Sequence, residues 1–298
     1  MAVREDAIPY DQFEDVRKVA RSHAIDRYLA ALLAPRAVRG DLIALAAFAG
    51  EIERVPLIVS EPALGEIRLK WWLDWLDGLG EETSTGNPVA DVFGHVVIRR
   101  GLSRALIGGI IDARGQELYG APFDGQADCE AFISNTEGGV VQLAAKLATM
   151  STGTAANVQE GQSGSADGAA EALMAYGMAY GGVRQILRVP LLAQRGRWGL
   201  PTSGEVFDPS RLGEPGGRAH ADEIRSAAIG SVRAALAGAR QCAGSLTRAE
   251  KVACLPAALV APYLKALDEQ GDWLAATADI SPLGRVWQMW RSHLSGRI

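Results

Sequence analysis

Apolar residues recur three and four positions apart along most of the chain, so the pattern predicts helices almost throughout, and strand-like alternation is hard to find. The first helix starts near Tyr10 and carries Phe13, Val16, Val19 and Ala20 at helical spacing. Three more follow over residues 26–33, 35–55 and 62–79, with Pro35 and Pro62 as first helical residues, where a missing N–H costs nothing. On a helical wheel Leu42, Ala46, Ala49 and Glu53 fall on one line, flanked by Leu45, Phe48 and Ile52. Glu53 therefore points with the apolar stripe, and Glu51 points away from it. A carboxylate so placed needs an arginine, another donor, a cavity or a cation, and a buried ion pair stands level with a functional role.

Trp71, Trp72 and Trp75 lie within about one turn of the 62–79 helix and cannot share a direction, so one must reach an edge or line a cavity. Asp26 reads as a helix cap. Pro88 opens a further helix, and the helix expected over 102–118 holds Arg114 and Glu117 inside its apolar face, spaced to neutralise each other. Residues 128–150 form the next helix around Gly138 and Gly139, which require either a close helix crossing or a ligand. A low-complexity stretch at 151–168 predicts a flexible loop, and a second one spans 201–219. Between them Gly177, Gly181, Arg184 and Arg188 share one helix edge, so two close-approach positions lead into two cations. Helices at 221–243, 256–270 and 282–294 complete the pattern, with Trp287 and Trp290 assigned to the core.

The 298 residues carry 48% hydrophobic content without a compositional break, which fits one helical domain over 1–298. A net charge of −5 with no basic block argues against nucleic acid as a partner. Three scattered cysteines make neither a disulfide framework nor a zinc site, and the four histidines are isolated from any nucleophile motif. A polar, acidic amino-terminal stretch and the lack of a long apolar run predict a cytoplasmic protein without a transmembrane segment, with peripheral contact at a membrane left open.

Leu32-Leu33-Ala34-Pro35, Arg39 and Leu45-Ala46-Ala47-Phe48-Ala49 resemble the amino-terminal signature of the squalene/phytoene synthase family. Ile186-Leu187-Arg188, Arg195-Gly196-Arg197 and Leu200-Pro201 resemble its second signature, and the likeness is clear over roughly residues 20–202. It implies an all-α, isoprenoid-synthase-like domain around a central cavity. In that family two aspartate-rich motifs hold magnesium against a prenyl diphosphate, and magnesium needs those oxygen ligands. Here the first motif is Glu53-Arg54-Val55-Pro56-Leu57, Val189 stands at the first aspartate of the second, and no acid occurs between Glu171 and Glu205.

The resemblance thus points to a branch with degenerate magnesium-diphosphate motifs, like the respiratory complex I assembly factors, that binds a lipid or a protein partner without prenyl transfer. No cofactor is expected. Arg39, Arg184, Arg188, Arg195 and Arg197 are the candidate ligands for an anionic polyprenyl or phospholipid headgroup. The alternative is an active prenyltransferase that uses Glu53 and Glu117 with substrate-borne Mg²⁺. Two glutamates with arginines nearby, Arg54 and Arg114, should bind magnesium no tighter than about millimolar without a diphosphate.

Overall fold

The computed structural model describes residues 10–80, 84–119, 123–150, 163–202 and 207–298, and no β-strand occurs among them. The first half of the chain forms α1 (Tyr10–His23), α2 (Ile25–Leu32), α3 (Arg36–Ile58), α4 (Pro62–Asp77), α5 (Pro88–Arg100) and α6 (Arg104–Ala113). Then come α7 (Gln126–Ile133), α8 (Gly139–Thr149), α9 (Ser163–Ala193), α10 (Gly217–Cys242), α11 (Arg248–Cys254), α12 (Val260–Glu269) and α13 (Pro282–Ser295).

Local chemistry sets several of these boundaries. Pro62, Pro88 and Pro282 open their helices, and the side chains of Asn87 and Ser281 accept from backbone N–H groups left without helical partners. Thr247 and Glu250 close a capping box at α11, a helix the sequence pattern does not predict. Pro35 is the residue before α3 rather than its first, and α3 runs past the expected Val55 through Pro56 to Ile58.

Helix α3 is the axis of the fold. Residues 41–50 are buried on every side, and the small Ala44, Ala46, Ala47, Ala49 and Gly50 let α1, α2, α5 and α8 pack closely around it. A methyl group added at Gly50 would lie 2.9 Å from the Cβ of His23. Two large apolar clusters result, one around α3 to α6 and one around α9 to α13. Leu29 and Leu33 near α2, and Ala144 on α8, touch both.

The structure corrects several expectations. The helix expected over 102–118 becomes 3₁₀ from Arg114 to Leu118, and the one expected over 128–150 contains a π-helical turn from Ser134 to Gly138. Helix α9 begins at Ser163, inside the loop expected at 151–168, of which residues 151–162 lie outside the described ones. The 201–219 stretch holds a 3₁₀ turn at Pro209–Gly213 and the start of α10, with residues 203–206 outside the described ones. Pro256 lies in a 3₁₀ turn before α12, not in a helix over 256–270. Trp72 and Trp75 are buried against Phe48 and Phe93, while Trp71 reaches the edge. Trp287 and Trp290, expected in the core, are 59% and 44% exposed, because α13 turns Arg285, Met289 and Ser292 inward instead. Among the described residues no helix is long and apolar enough to cross a membrane.

Candidate functional site

Seven charged side chains from five elements converge beside the end of α3. Arg27 comes from α2, Glu53 from α3, Arg114 and Glu117 from the 3₁₀ turn, Glu137 from the π turn, and Arg184 and Arg188 from α9. Each irregular turn has a consequence for the site. Residues three apart eclipse in a 3₁₀ turn, which stacks Arg114 on Glu117 at 2.8 Å. The π turn directs Glu137 inward, where it accepts from Arg27 and, at 3.2 Å, from Arg114.

Helix α9 approaches this turn on its glycines. A Cβ at Gly177 would lie 2.8 Å from the Cα of Gly138, and one at Gly181 would lie 2.7 Å from the Cγ of Glu137. A Cβ at Gly139 would meet Ile110 at 2.9 Å. The neighbour that requires these glycines is the protein's own backbone and side chains, the crossing alternative left open by the sequence.

Glu117 is the best-held carboxylate. It accepts from Arg114 at 2.8 Å, from Arg188 at 2.8 and 3.0 Å, and from Gln185 at 2.9 Å. Glu53 accepts from Arg184 at 2.7 Å and lies 3.8 Å from Arg27 and 4.0 Å from Arg188, while its carbonyl accepts from Arg188 at 3.1 Å. Burial alone would raise the pKa of both acids. Arg184, Arg188, Arg114 and Arg27 prevail at Glu53 and hold it far below the usual carboxylate range. At Glu117, Arg188 and Arg114 likewise outweigh burial and lower the pKa. Four guanidiniums face three carboxylates, and Arg184 also lies in the field of the Asp26 carboxylate, which shares Arg285 with Asp279. The cluster opens at Arg184, whose side chain is 26% exposed and whose Nε has no hydrogen-bond partner.

The predicted residues therefore divide. Glu53, Glu117, Arg184 and Arg188 meet in this cluster. Arg39 lies about 21 Å up α3 from Glu53 and donates to the Ala34 carbonyl. Arg195 is exposed and donates to Leu191, and Arg197 is buried and donates to the Pro56 carbonyl at 2.6 Å, satisfying the end of α3. Arg54, expected near Glu53, turns outward to Glu51 at 3.1 Å.

Sequence reasoning missed Arg27 and Glu137, although Ile133, Glu137 and Val141 share a helical line as clearly as Ala49 and Glu53 do. It also misassigned Asp26. That carboxylate caps nothing and is buried, accepting from the hydroxyls of Tyr180 at 2.9 Å and Tyr263 at 2.8 Å, with the Arg285 guanidinium 2.8 Å away. It ties α2 to α9, α12 and α13. The central space beside both charge centres is narrow. Lined by Ala30, Leu42, Val140, Tyr176, Tyr180 and their neighbours, it measures ≈ 30 Å³.

This architecture is shared with known proteins. Over 88–96% of the chain it superposes on a dehydrosqualene synthase solved with a ligand (TM-score 0.67, 13% identity, 97% of that chain) and on squalene synthase HpnC from Alicyclobacillus acidocaldarius (TM-score 0.60, 16% identity, 94% of that chain). At these identities the likeness concerns the fold. In sequence, the NADH dehydrogenase (ubiquinone) complex I assembly factor 6 of Bos taurus is 26% identical over 130 residues, and that of Homo sapiens 25%. Those alignments cover 44% of this chain and 39% of each relative, so the match spans about two fifths of the relatives' length. The family model for squalene/phytoene synthases matches residues 20–295, well beyond the stretch in which the motifs are legible, and the chain belongs to the squalene/phytoene synthase family.

Proposed function

We propose that this protein is a binding member of its family that does not join prenyl diphosphates and works, like the complex I assembly factors it resembles, through a protein partner or a lipid at a membrane surface. The observation that carries this reading is the state of the carboxylates. Glu53, Glu117 and Glu137 are each held by arginines. Magnesium draws its affinity from free carboxylates and substrate phosphates, and here it would have to displace guanidiniums from every candidate ligand. The donor set fits the ion poorly. Arg184, the partly exposed guanidinium of the cluster, suits an anionic headgroup better than a dication. A central space of only ≈ 30 Å³ leaves little room for a prenyl chain, which favours partners bound at the surface.

The test is incubation of the purified chain with farnesyl and geranylgeranyl diphosphate, with and without magnesium, alongside calorimetric titration with magnesium alone. No head-to-head product above a boiled control and no magnesium binding tighter than about millimolar are expected. Product formation, or micromolar magnesium affinity, would overturn the reading in favour of the prenyltransferase. In the source cell, loss of the protein should lower assembled complex I, and a chain carrying Glu53→Gln, if still folded, should restore it.

A further inference from the structure

Helix α13 is amphipathic in an inverted sense. Its buried face is Arg285, Met289 and Ser292, whereas Leu283, Val286, Trp287, Trp290 and Leu294 form a continuous stripe that points outward. Leu283 is 84% exposed, and the two indoles stand 5.3 Å apart, centroid to centroid. These five make up nearly half of the large exposed apolar side chains among the described residues. Isolated apolar residues at a surface need no explanation, but a contiguous stripe with two tryptophans does.

Beside the stripe runs an open groove of ≈ 730 Å³, far larger than the interior spaces. Arg240, Lys251, Arg291 and Arg297 line it, and no aspartate or glutamate does. From Ser281 to the end of the chain there is no acidic side chain, although the protein as a whole carries −5. Tyr176 also lines the groove, and its buried hydroxyl has no hydrogen-bond partner. An apolar stripe with indoles, flanked by cations, is complementary to one kind of surface. Tryptophan sits at the headgroup level of a bilayer, apolar body inward and N–H outward, while arginine and lysine draw toward anionic phosphates. Attachment of such a helix strengthens with the apolar area it inserts and with the attraction of its cations to anionic lipid.

We infer that α13 and the adjoining basic groove are the membrane-docking surface of this protein, lying flat on an anionic phospholipid bilayer with the stripe at the acyl boundary and lipid phosphates in the groove. The inference rests on the peripheral placement proposed above and not on the absence of prenyl transfer.

Co-sedimentation of the full chain with phosphatidylcholine vesicles, and with vesicles half phosphatidylglycerol, tests it. Binding should be strong to the anionic vesicles, weak to the neutral ones, and reduced by salt. Trp287→Ser with Trp290→Ser, and separately Arg291→Gln with Arg297→Gln, should each lower partitioning about tenfold or more, with unchanged helical circular dichroism and melting temperature. Leu283→Ser with Leu294→Ser gives a second reading should the tryptophan pair fail to fold. Sedimentation that ignores all three pairs would overturn the α13 assignment and leave peripheral placement standing. No sedimentation with either vesicle would overturn both. A wild-type dimer that the tryptophan pair converts to monomer, without vesicle binding, would assign the stripe to a second copy and overturn the inference.

Discussion

The cluster around Glu117 and the outer face of α13 are opposites within one fold. In the first, seven charges are buried, and each carboxylate is held by at least two arginines within 4 Å. In the second, cations line an open groove without an aspartate or glutamate among them, Arg240 donating to the Ile298 main-chain oxygen, next to apolar side chains that face water. A buried ion cluster is a strong constraint on structure and a poor receptor, since every ligand it could take must first break an existing pair. An exposed surface contributes little to stability and keeps its interactions available. In this chain, the place where the family's first acidic motif falls has become part of the framework, and the apolar and basic side chains left facing solvent lie at α13.

The largest effect that would break this contrast is at Glu117. Glu117→Gln removes the charge that holds Arg114 and Arg188, leaves both guanidiniums buried, and should cost about 3–5 kcal/mol in denaturant unfolding at unchanged slope. Arg188→Gln should cost more than Arg184→Gln, because Arg188 is buried whereas Arg184 reaches solvent and can be replaced there by water. An unfolding midpoint equal to wild type for Glu117→Gln would show that the cluster is not a structural element, and would return Glu117 to the list of functional candidates.

Acid should act on the same cluster. Glu53 and Glu117 titrate in the folded protein below their ordinary value of 4.5. Their contribution is fully present above the unfolded value and is lost as pH falls from about 4.5 through the folded pKa values. Melting temperature measured against pH should therefore decline below about 4.5, and Glu117→Gln should flatten that decline. Parallel profiles for variant and wild type would place the acid sensitivity elsewhere.

Next in size is the crossing that brings Glu137 into the cluster. Gly177→Ala sets a methyl group against the backbone of Gly138, which cannot step aside, and should cost about 1–3 kcal/mol. Gly138→Ala meets the sulfur of Met174, the mobile part of a flexible side chain, and should cost less. The reverse order in thermal melts would mean that the π turn yields more easily than the methionine.

How much of this was legible in the sequence follows from what a helical wheel can and cannot say. The wheel shows which side of a helix Glu53 occupies, and that side is indeed inward. It does not show what packs there, and the partners Arg184 and Arg188 lie more than 130 residues away. Arg54, the obvious neighbour in sequence, turned out to serve Glu51. Prolines 62, 88 and 282 marked their helix starts because the missing N–H costs nothing there, although Pro56 and Pro190 sit inside α3 and α9. The π turn left no comparable mark, since its extra residue sits inside an uninterrupted helical pattern with two glycines at its end. Asp26 looked like a cap because acids are favoured at helix starts, and only the fold reveals two tyrosines and an arginine around it. At α13 the wheel pointed the wrong way, since the more apolar of the two faces is the one left in water.

That reversal yields the smallest expected effect and the sharpest form of the comparison. Trp72 is 4% exposed and packs edge-on against Phe48, so Trp72→Ala should open a cavity costing about 3–5 kcal/mol. Trp287 carries the same side chain on the other kind of surface. Its ring touches Trp290 but encloses no core, and Trp287→Ser should change the unfolding free energy by no more than about 0.5 kcal/mol. Two tryptophans of one chain, about tenfold apart in their contribution to stability, would establish that α13 presents its indoles outward for something other than folding. If Trp287→Ser instead destabilised the protein by several kcal/mol, the helix would have to sit with its tryptophans inward. The stripe at Leu283, Val286 and Leu294 would then be part of the core.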